Sequence, residues 1–155
     1  MSDEVLIRFG KHEDAPALAQ FNVAMAWETE QKQLILAIVT KGVKAVLERV
    51  QHGFYVVAEQ QGDIIASLLV TYEWSDWRCA RFWWIQSVYV KPECRAQGVF
   101  RRLYAFLQAE AADRPEICGF RLYVEKSNHT AQQTYARMNM KKAGYDMYET
   151  LFDAP

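Results

Sequence analysis

The chain has 155 residues, of which 51% are hydrophobic and 24% charged, a composition typical of one globular domain that excludes a disordered protein. Its 18 basic and 19 acidic residues give a formal net charge of −1 at pH 7, whereas a general nucleic-acid-binding protein would be more basic. The longest apolar run, at residues 34–39, is far shorter than the about 20 residues that a membrane span requires. We therefore expect neither nucleic-acid nor membrane partners.

The start of the chain and its cysteines bear on its compartment. The N-terminus, Met1-Ser2-Asp3-Glu4, is acidic and has no apolar h-region, so we expect no secretory signal. Cys79, Cys94 and Cys118 form neither a CxxC pair nor the Cys/His spacing of a metal site. These observations predict reduced thiols in a cytoplasmic protein that holds no metal.

No repeat, low-complexity stretch or linker divides the sequence, so we expect one domain over residues 1–155. Hydrophobic periodicity and turn residues predict its elements in chain order. They are a strand at 5–9, a helix at 11–28, a helix along the apolar stripe at 34–50, strands at 54–59, 64–74 and 81–90, a helix that follows the loop at 93–98 and ends before Pro115, a strand at 120–124, a helix at 128–138 and a strand at 145–152. Because helices alternate with strands after an antiparallel meander, we expect an α/β fold with a mixed sheet and helices on its faces.

Residues 88–103 predict a strand, a tight loop and the start of a helix, an arrangement that suits an anion. The first-turn N–H groups of a helix have no partner within it, and the helix dipole favours negative charge there. Gly98 lets a ligand approach the backbone closely, and Arg95, Arg101 and Arg102 add positive charge. Neither a Walker A loop nor a GxGxxG fingerprint is present. A pyrophosphate site of another kind and an ordinary strand-to-helix turn with surface arginines are both open at this point.

A second pattern places three side chains on one face of a predicted helix. Asn128, Ala131 and Tyr135 are three and seven residues apart, so they share a face that offers an amide, a small residue and a phenol. Asn128 is a favourable N-cap residue. Asn139 tolerates the left-handed conformation with which many helices end.

The loop pattern resembles that of the GNAT acetyltransferases. Arg95-x-x-Gly98-Val99, after a Val-x-Val-x-Pro strand, is similar to the Arg/Gln-x-x-Gly-x-Gly/Ala loop that binds acetyl-CoA in that family. Phe100 stands where the second Gly or Ala is usual, and this departure bears on how tightly the backbone wraps the phosphates.

The helix pattern resembles the same family. Residues 128–140 are similar to its Asn-x-x-Ala-x-x-x-Tyr-x-x-x-Gly-Phe pattern, with Asn139 in place of the usual Gly. The resemblance covers residues 80–150 and implies a GNAT-like fold. That fold has a central mixed sheet of six or seven strands with four helices on its faces.

The resemblance implies acetyl-CoA as co-substrate and no metal. Its pyrophosphate is expected on backbone N–H groups of residues 97–101, and its pantetheine between the strands at 84–90 and 120–124. A backbone N–H on the first of these strands is expected to polarise the thioester carbonyl. The cofactor-binding residues implied are Val88, Tyr89, Val90, Arg95, Ala96, Gln97, Gly98, Val99, Phe100, Arg101, Asn128 and Tyr135.

The resemblance also assigns the catalytic positions. Tyr135 is expected to protonate the departing thiolate as a general acid. Gln86 occupies the position at which many relatives carry the glutamate that deprotonates the amine, and an amide is not a base at pH 7. Three explanations are open: another carboxylate acts through water, the amine arrives neutral, or the protein binds acyl-CoA without efficient turnover. We favour the first, and the carboxylates considered are Glu28, Glu30, Glu73 and Asp76.

Acidic and aromatic residues occur together in two segments that border the acceptor site in this family. The residues expected to bind the acceptor are Trp27, Glu28 and Glu30 between the first two helices, and Glu73 and Trp74 before the strand at 81–90. Carboxylates and indole rings suit a cationic amine. The alternative is that the tryptophans fill a core or a dimer interface and the charges are solvated.

The sequence therefore predicts an N-acetyltransferase that moves an acetyl group from acetyl-CoA to the primary amine of a small cationic molecule, by direct attack in a ternary complex. One alternative is acetylation of a protein lysine or N-terminus. Another is a non-catalytic acyl-CoA-sensing module, which Gln86 suggests and Tyr135 argues against. The expected partner is a small-molecule amine, and the resemblance implies a homodimer.

Overall fold

The computed structural model describes residues 4–153. Their strands and α-helices are β1 (Val5–Phe9), α1 (Ala15–Glu30), α2 (Leu36–Glu48), β2 (Phe54–Gln60), β3 (Asp63–Ser75), β4 (Ala80–Val90), α3 (Val99–Ala111), β5 (Ile117–Leu122) and α4 (His129–Arg137). The chain forms two compact units, Met1–Tyr123 with the five strands and α1–α3, and Val124–Pro155 with α4. The expectation of a single domain stays a prediction. No helix within residues 4–153 combines the length and apolarity that crossing a membrane requires.

The strands form one sheet in the order β1-β2-β3-β4-β5. The first four strands pair antiparallel, and β5 pairs with β4 in parallel. The predicted mixed sheet and α/β class are therefore confirmed. The sheet of the described residues has five strands rather than the six or seven expected.

The predicted strand at residues 145–152 is wrong, because no regular structure forms there. Its apolar spacing suggested a half-buried strand, yet Tyr145, Tyr148 and Phe152 are exposed. A strand exists only through a ladder with a neighbour, and residues 145–152 form no such ladder. The other predicted elements are present with shifted ends; β5, for example, covers Ile117–Leu122 instead of residues 120–124.

Helices α1 and α2 cover one face of the sheet. Ala15 and Leu18 of α1 and Val43 of α2 are buried against Tyr55 and Val57 of β2. These two β2 residues are separated by one position, so their side chains point the same way. We call this side of the sheet the α1–α2 face.

Helix α3 packs on the opposite face. The ring centroids of Phe106 and Phe9 lie 5.1 Å apart, and those of Tyr104 and Phe120 lie 5.4 Å apart. Leu103 of α3 is fully buried. The sheet therefore has apolar packing on both faces within the first unit, which fixes which residues of β4 and β5 point to which side.

The register of the central strands assigns Gln86 to the α1–α2 face. Tyr55 pairs with Leu69, and Leu69 pairs with Gln86. Residues directly opposite one another in a ladder share a face, so Gln86 lies on the side of α1 and α2. Trp84 points to the same face, because it is two positions from Gln86 along β4.

Candidate active site

The parallel ladder between β4 and β5 ends before β4 does. The last pair is Ile85 with Leu122, whereas β4 continues to Val90. Beyond Ile85, the backbone groups of β4 on this side have no partner in β5, and exposed backbone N–H and C=O groups require hydrogen bonds from elsewhere. Within the first unit this leaves an open edge at residues 86–90, which suits an extended ligand arm with amide groups.

A bulge shapes β4 at the same place. The register between β3 and β4 shifts between Ser67 and Leu69, and Ser87 has a φ of 50°. A bulge adds a residue to one strand, bends it and re-aims the neighbouring side chains. Gln86, next to the bulge and half-buried, donates from Nε2 to Oγ1 of Thr71. Its amide is therefore engaged with β3.

The loop before α3 presents backbone N–H groups to an anion. Ala96 and Gly98 both have left-handed conformations, with φ of 60° and 75°. Gly98 is the N-cap of α3, no side chain caps the helix, and the N–H of Arg102 bonds to the Gly98 carbonyl at 3.1 Å. The N–H groups of the preceding first turn thus have no acceptor within the helix. A Cβ atom at Gly98 would meet no heavy atom within 4 Å, so the loop is also open to a ligand.

The three arginines of this region do not act together. Arg95 donates to a glutamate carboxylate and to the Val90 carbonyl, and Arg102 donates to the Val5 carbonyl of β1. Arg101 is exposed and forms no ion pair with any residue between positions 4 and 153. An anion at this loop would therefore meet the backbone N–H groups, the helix dipole and the Arg101 guanidinium.

Glu28 is the partner of Arg95. Its Oε2 accepts from Arg95 Nη2 at 2.7 Å, and its Oε1 accepts from the Tyr89 hydroxyl at 2.9 Å. The hydrogen bond from Arg95, together with that from Tyr89, outweighs burial and holds the pKa of the Glu28 carboxyl below its usual range. The predicted acceptor residue Glu28 is thus engaged with the loop before α3.

Glu73 is paired as well. Its two oxygens accept from Arg121 Nη1 at 2.9 and 2.8 Å, and Oε1 also accepts from Trp84 Nε1 at 2.6 Å. Burial alone raises the pKa of Glu73, but the hydrogen bonds from Trp84 and Arg121 outweigh it and lower the pKa below its ordinary value. The Arg121 guanidinium also lies 3.7 Å from the centre of the Phe82 ring.

Arg121 was missed by the sequence reasoning. Its position in β5 gave a usable signal, because Arg121 pairs with Trp84 in the parallel ladder and therefore shares its face. The sequence analysis predicted the partner strand, but not the register that places the Arg121 guanidinium beside Glu73.

The predicted acceptor residues of the first unit lie at separate places. Glu73 pairs with Phe82, four residues before Gln86 on β4, so it lies about 13 Å away along the strand. Trp74 follows Glu73 and points to the opposite face, with 60% of its surface exposed. Trp27 is 61% exposed, and Glu30 is an exposed residue in the last turn of α1. Trp27 and Trp74 are not core residues of this unit.

The second unit carries the remaining predicted residues. Asn128 caps α4, since its Oδ1 accepts from the Ala131 N–H at 3.1 Å, which confirms the predicted N-cap. Asn139 has a φ of 63°, the left-handed conformation predicted for the end of this helix. Burial raises the pKa of the Tyr135 hydroxyl above its ordinary value, so the phenol keeps its proton at pH 7.

Comparison with known proteins identifies relatives. Residues 13–140 match the family model described as the acetyltransferase (GNAT) family. The solved structure of a possible acetyltransferase from Clostridium difficile 630 is 41% identical, with 97% of this chain and 99% of that chain covered at a TM-score of 0.89. A comparison with curated proteins finds no match.

Two more distant solved structures share the fold. A predicted acetyltransferase with acetyl-CoA from Clostridium acetobutylicum is 16% identical over 95% of this chain and 96% of that chain, with a TM-score of 0.78. A ribosomal-protein-alanine N-acetyltransferase from Brucella melitensis biovar Abortus 2308 is 15% identical over 97% of this chain and 100% of that chain, with a TM-score of 0.77.

Proposed function

Since the chain belongs to the GNAT acetyltransferase family and is therefore an acyltransferase, we propose that it transfers the acetyl group of acetyl-CoA directly to the primary amine of a small molecule. The observation that carries this proposal is the combination of the open β4 edge with the uncapped start of α3. The open edge suits the extended amide-containing arm of acetyl-CoA, and the start of α3 suits its pyrophosphate. The two features follow one another in the chain, as the two parts do in the co-substrate.

The residues of the first unit fit this co-substrate, which supplies the acetyl group as a thioester. The first-turn N–H groups of α3, with the left-handed Ala96 and Gly98 before them, bind the pyrophosphate. Val88 and Val90 of β4 offer backbone groups to the pantetheine arm. A β4 N–H donates to the thioester oxygen and stabilises the negative charge that develops there.

Tyr135 serves as the general acid in this proposal. Its hydroxyl is protonated at pH 7, since the ordinary pKa of a phenol is near 10 and burial raises it, so it is able to donate a proton to the sulfur as the C–S bond breaks. The role rests on the family pattern around Tyr135, which the chain retains from Asn128 to Met140 with Asn139 in place of Gly.

Gln86, at the position of the family's base, and two of the carboxylates considered, Glu28 and Glu73, are poorly suited to take the proton from the amine. Gln86 is an amide, and Glu28 and Glu73 each pair with an arginine that stabilises the ionised form and so weakens the base. We therefore replace the carboxylate expected from the sequence with an amine that attacks in its neutral form. The nitrogen lone pair forms the C–N bond to the acetyl carbon. The nitrogen is then positively charged, and it loses one proton to solvent.

The acceptor is proposed to be a small cationic amine. Trp27 offers an exposed indole and Glu30 an exposed carboxylate in the last turn of α1, and both attract a cation. Arg95 and Arg121 neutralise Glu28 and Glu73, so these two carboxylates add little attraction.

Release of the CoA thiol tests the proposal. The purified chain is assayed with acetyl-CoA and a panel of polyamines, amino acids, aminoglycosides and peptides. We expect amine-dependent thiol release with at least one small amine and a product heavier by one acetyl group. Turnover with peptides alone would favour a protein acceptor, and CoA binding without turnover on any amine would favour the sensing module.

A further inference from the structure

One carboxylate joins the end of α1 to the loop that precedes α3. Glu28 lies in the last turn of α1, and Arg95 is 67 residues further along the chain. Their side chains meet at 2.7 Å, with 37% of Glu28 and 46% of Arg95 exposed. No other ion pair within residues 4–153 joins a helix to this loop.

Arg95 is held from three directions. Its Nε donates to the Val90 carbonyl at the end of β4 at 2.9 Å, and its Nη2 donates to Glu28. Its guanidinium lies 5.4 Å from the centre of the Tyr89 ring. Tyr89 in turn donates its hydroxyl to Glu28, so the three side chains form a closed arrangement.

We propose that Glu28 is a positioning residue for co-substrate binding: it holds Arg95 and thereby the phosphate-binding loop, rather than contacting the acceptor amine. The proposal rests on the acetyl-CoA site proposed above. A fixed Arg95 sets the course of the chain into the left-handed Ala96 and Gly98, and these residues aim the N–H groups at the start of α3. Preorganised donors bind an anion more tightly than donors that must first be ordered.

Two other roles for Glu28 predict different results. If Glu28 competed with the phosphates for Arg95, its removal would tighten CoA binding. If Glu28 bound the acceptor, its removal would raise the acceptor KM and leave CoA binding unchanged. The contacts favour positioning, because a phosphate would have to draw Arg95 away from Val90, Glu28 and Tyr89, while the uncapped backbone already provides donors.

Calorimetric titration of CoA into the full chain tests the proposal, with Glu28→Gln as the main variant and Glu93→Gln as its matched control. Glu93 is an exposed carboxylate in the turn Pro92–Cys94 and, like Glu28, acts on Tyr89 through its charge. It forms no ion pair with any described residue. The control therefore removes the same charge from the same region without removing a partner of Arg95.

We expect Glu28→Gln to raise the CoA Kd about three- to tenfold, as for loss of a half-exposed charged hydrogen bond. Glu93→Gln should leave the Kd within about twofold, since a solvated charge contributes little. Tyr89→Phe removes only a hydroxyl and should raise the Kd less than Glu28→Gln does. The effect of Glu28→Gln should shrink at high salt, which screens the pair.

A Glu28→Gln Kd equal to that of Glu93→Gln, or tighter than wild type, would overturn the positioning role, as would a rise in the acceptor KM alone. If Glu28→Gln fails to fold, which its melting curve shows, Tyr89→Phe decides: an unchanged Kd contradicts the proposal and a raised Kd supports it. Absence of CoA binding by the wild-type chain would overturn the proposed function itself.

Discussion

Tyr135 is the residue on which proton donation in the proposed reaction depends. Burial raises the pKa of its phenol above the ordinary value, so it stays protonated throughout the neutral range. The thiolate that leaves has a conjugate acid with a pKa near 8.5 if it behaves like a simple thiol, so a proton helps its departure without being indispensable.

Tyr135→Phe deletes the hydroxyl and keeps the ring. We expect kcat to fall by about 10- to 1000-fold, toward the low end of what a general acid contributes, because the thiolate is a good leaving group. The CoA Kd and the melting temperature should change little. Single-turnover rates, measured where chemistry limits turnover, check this, and a wild-type rate would assign Tyr135 to packing and remove the main argument for catalysis over sensing.

The sequence predicted the local backbone conformations at Asn128 and Asn139, but it did not predict the ion pairs of the candidate site. Asn128 as a cap and Asn139 in a left-handed conformation follow from the chemistry of asparagine next to its own backbone, so both could be predicted. The pairs of Glu28 with Arg95 and Glu73 with Arg121 join residues 67 and 48 positions apart. The first pair depends on how α1 packs beside the loop before α3 and the second on the register of the sheet, and the sequence alone specifies neither.

At the scale of the element, the start of α3 depends on one backbone conformation. Gly98 has a φ of 75°, a region in which a side chain costs about 1–2 kcal/mol. No atom lies near its missing Cβ, so the cost of a substitution there is conformational and not steric. A replacement should therefore change the loop geometry rather than the packing of the core.

Gly98→Ala should lower the melting temperature and weaken CoA binding severalfold, because alanine disfavours the left-handed conformation. Gly42→Ala is its matched control: Gly42 lies within α2, also with nothing near its Cβ. There the same change should stabilise the protein by about 0.5–1 kcal/mol, since alanine favours a helix. Differential scanning calorimetry and CoA titration check both variants, and equal CoA affinities would argue against the loop assignment.

The elements themselves could be predicted wherever their own sequence determines them. Apolar stripes predicted α1 and α2, and the turn at Gln60–Asp63 predicted the hairpin of β2 and β3. The segment at 145–152 shows the limit, because its alternation suits a strand but does not provide a neighbouring edge.

At the scale of the molecule, the near-zero net charge does not show which carboxylates form ion pairs with arginines. The buried Asp14 and the half-buried Glu59 pair with Arg8, while Glu28 and Glu73 each pair with another arginine. The composition gives the balance of 18 basic and 19 acidic residues, but it does not show that two of the four carboxylates considered as bases, Glu28 and Glu73, pair with arginines. Acid–base behaviour of the whole reaction should therefore follow from the acceptor amine and from Tyr135.

The pH dependence of kcat/KM for the acceptor tests whether the amine and Tyr135, and not the paired carboxylates, determine the acid–base behaviour of the reaction. Glu28 and Glu73 have lowered pKa values, so both are ionised above about pH 5 and lose their charge only as the pH falls further. They should add no inflection in the neutral range.

The fraction of neutral amine rises about tenfold per pH unit below the pKa of the amine, and kcat/KM should rise with it. At pH values above the ordinary pKa of a phenol the rate should fall as Tyr135, whose pKa burial raises, loses its proton. Profiles with two acceptors of different amine pKa measure this: the rising limb should move with the amine, whereas an inflection fixed near neutral pH for both would reveal an enzyme base and contradict attack by the neutral amine.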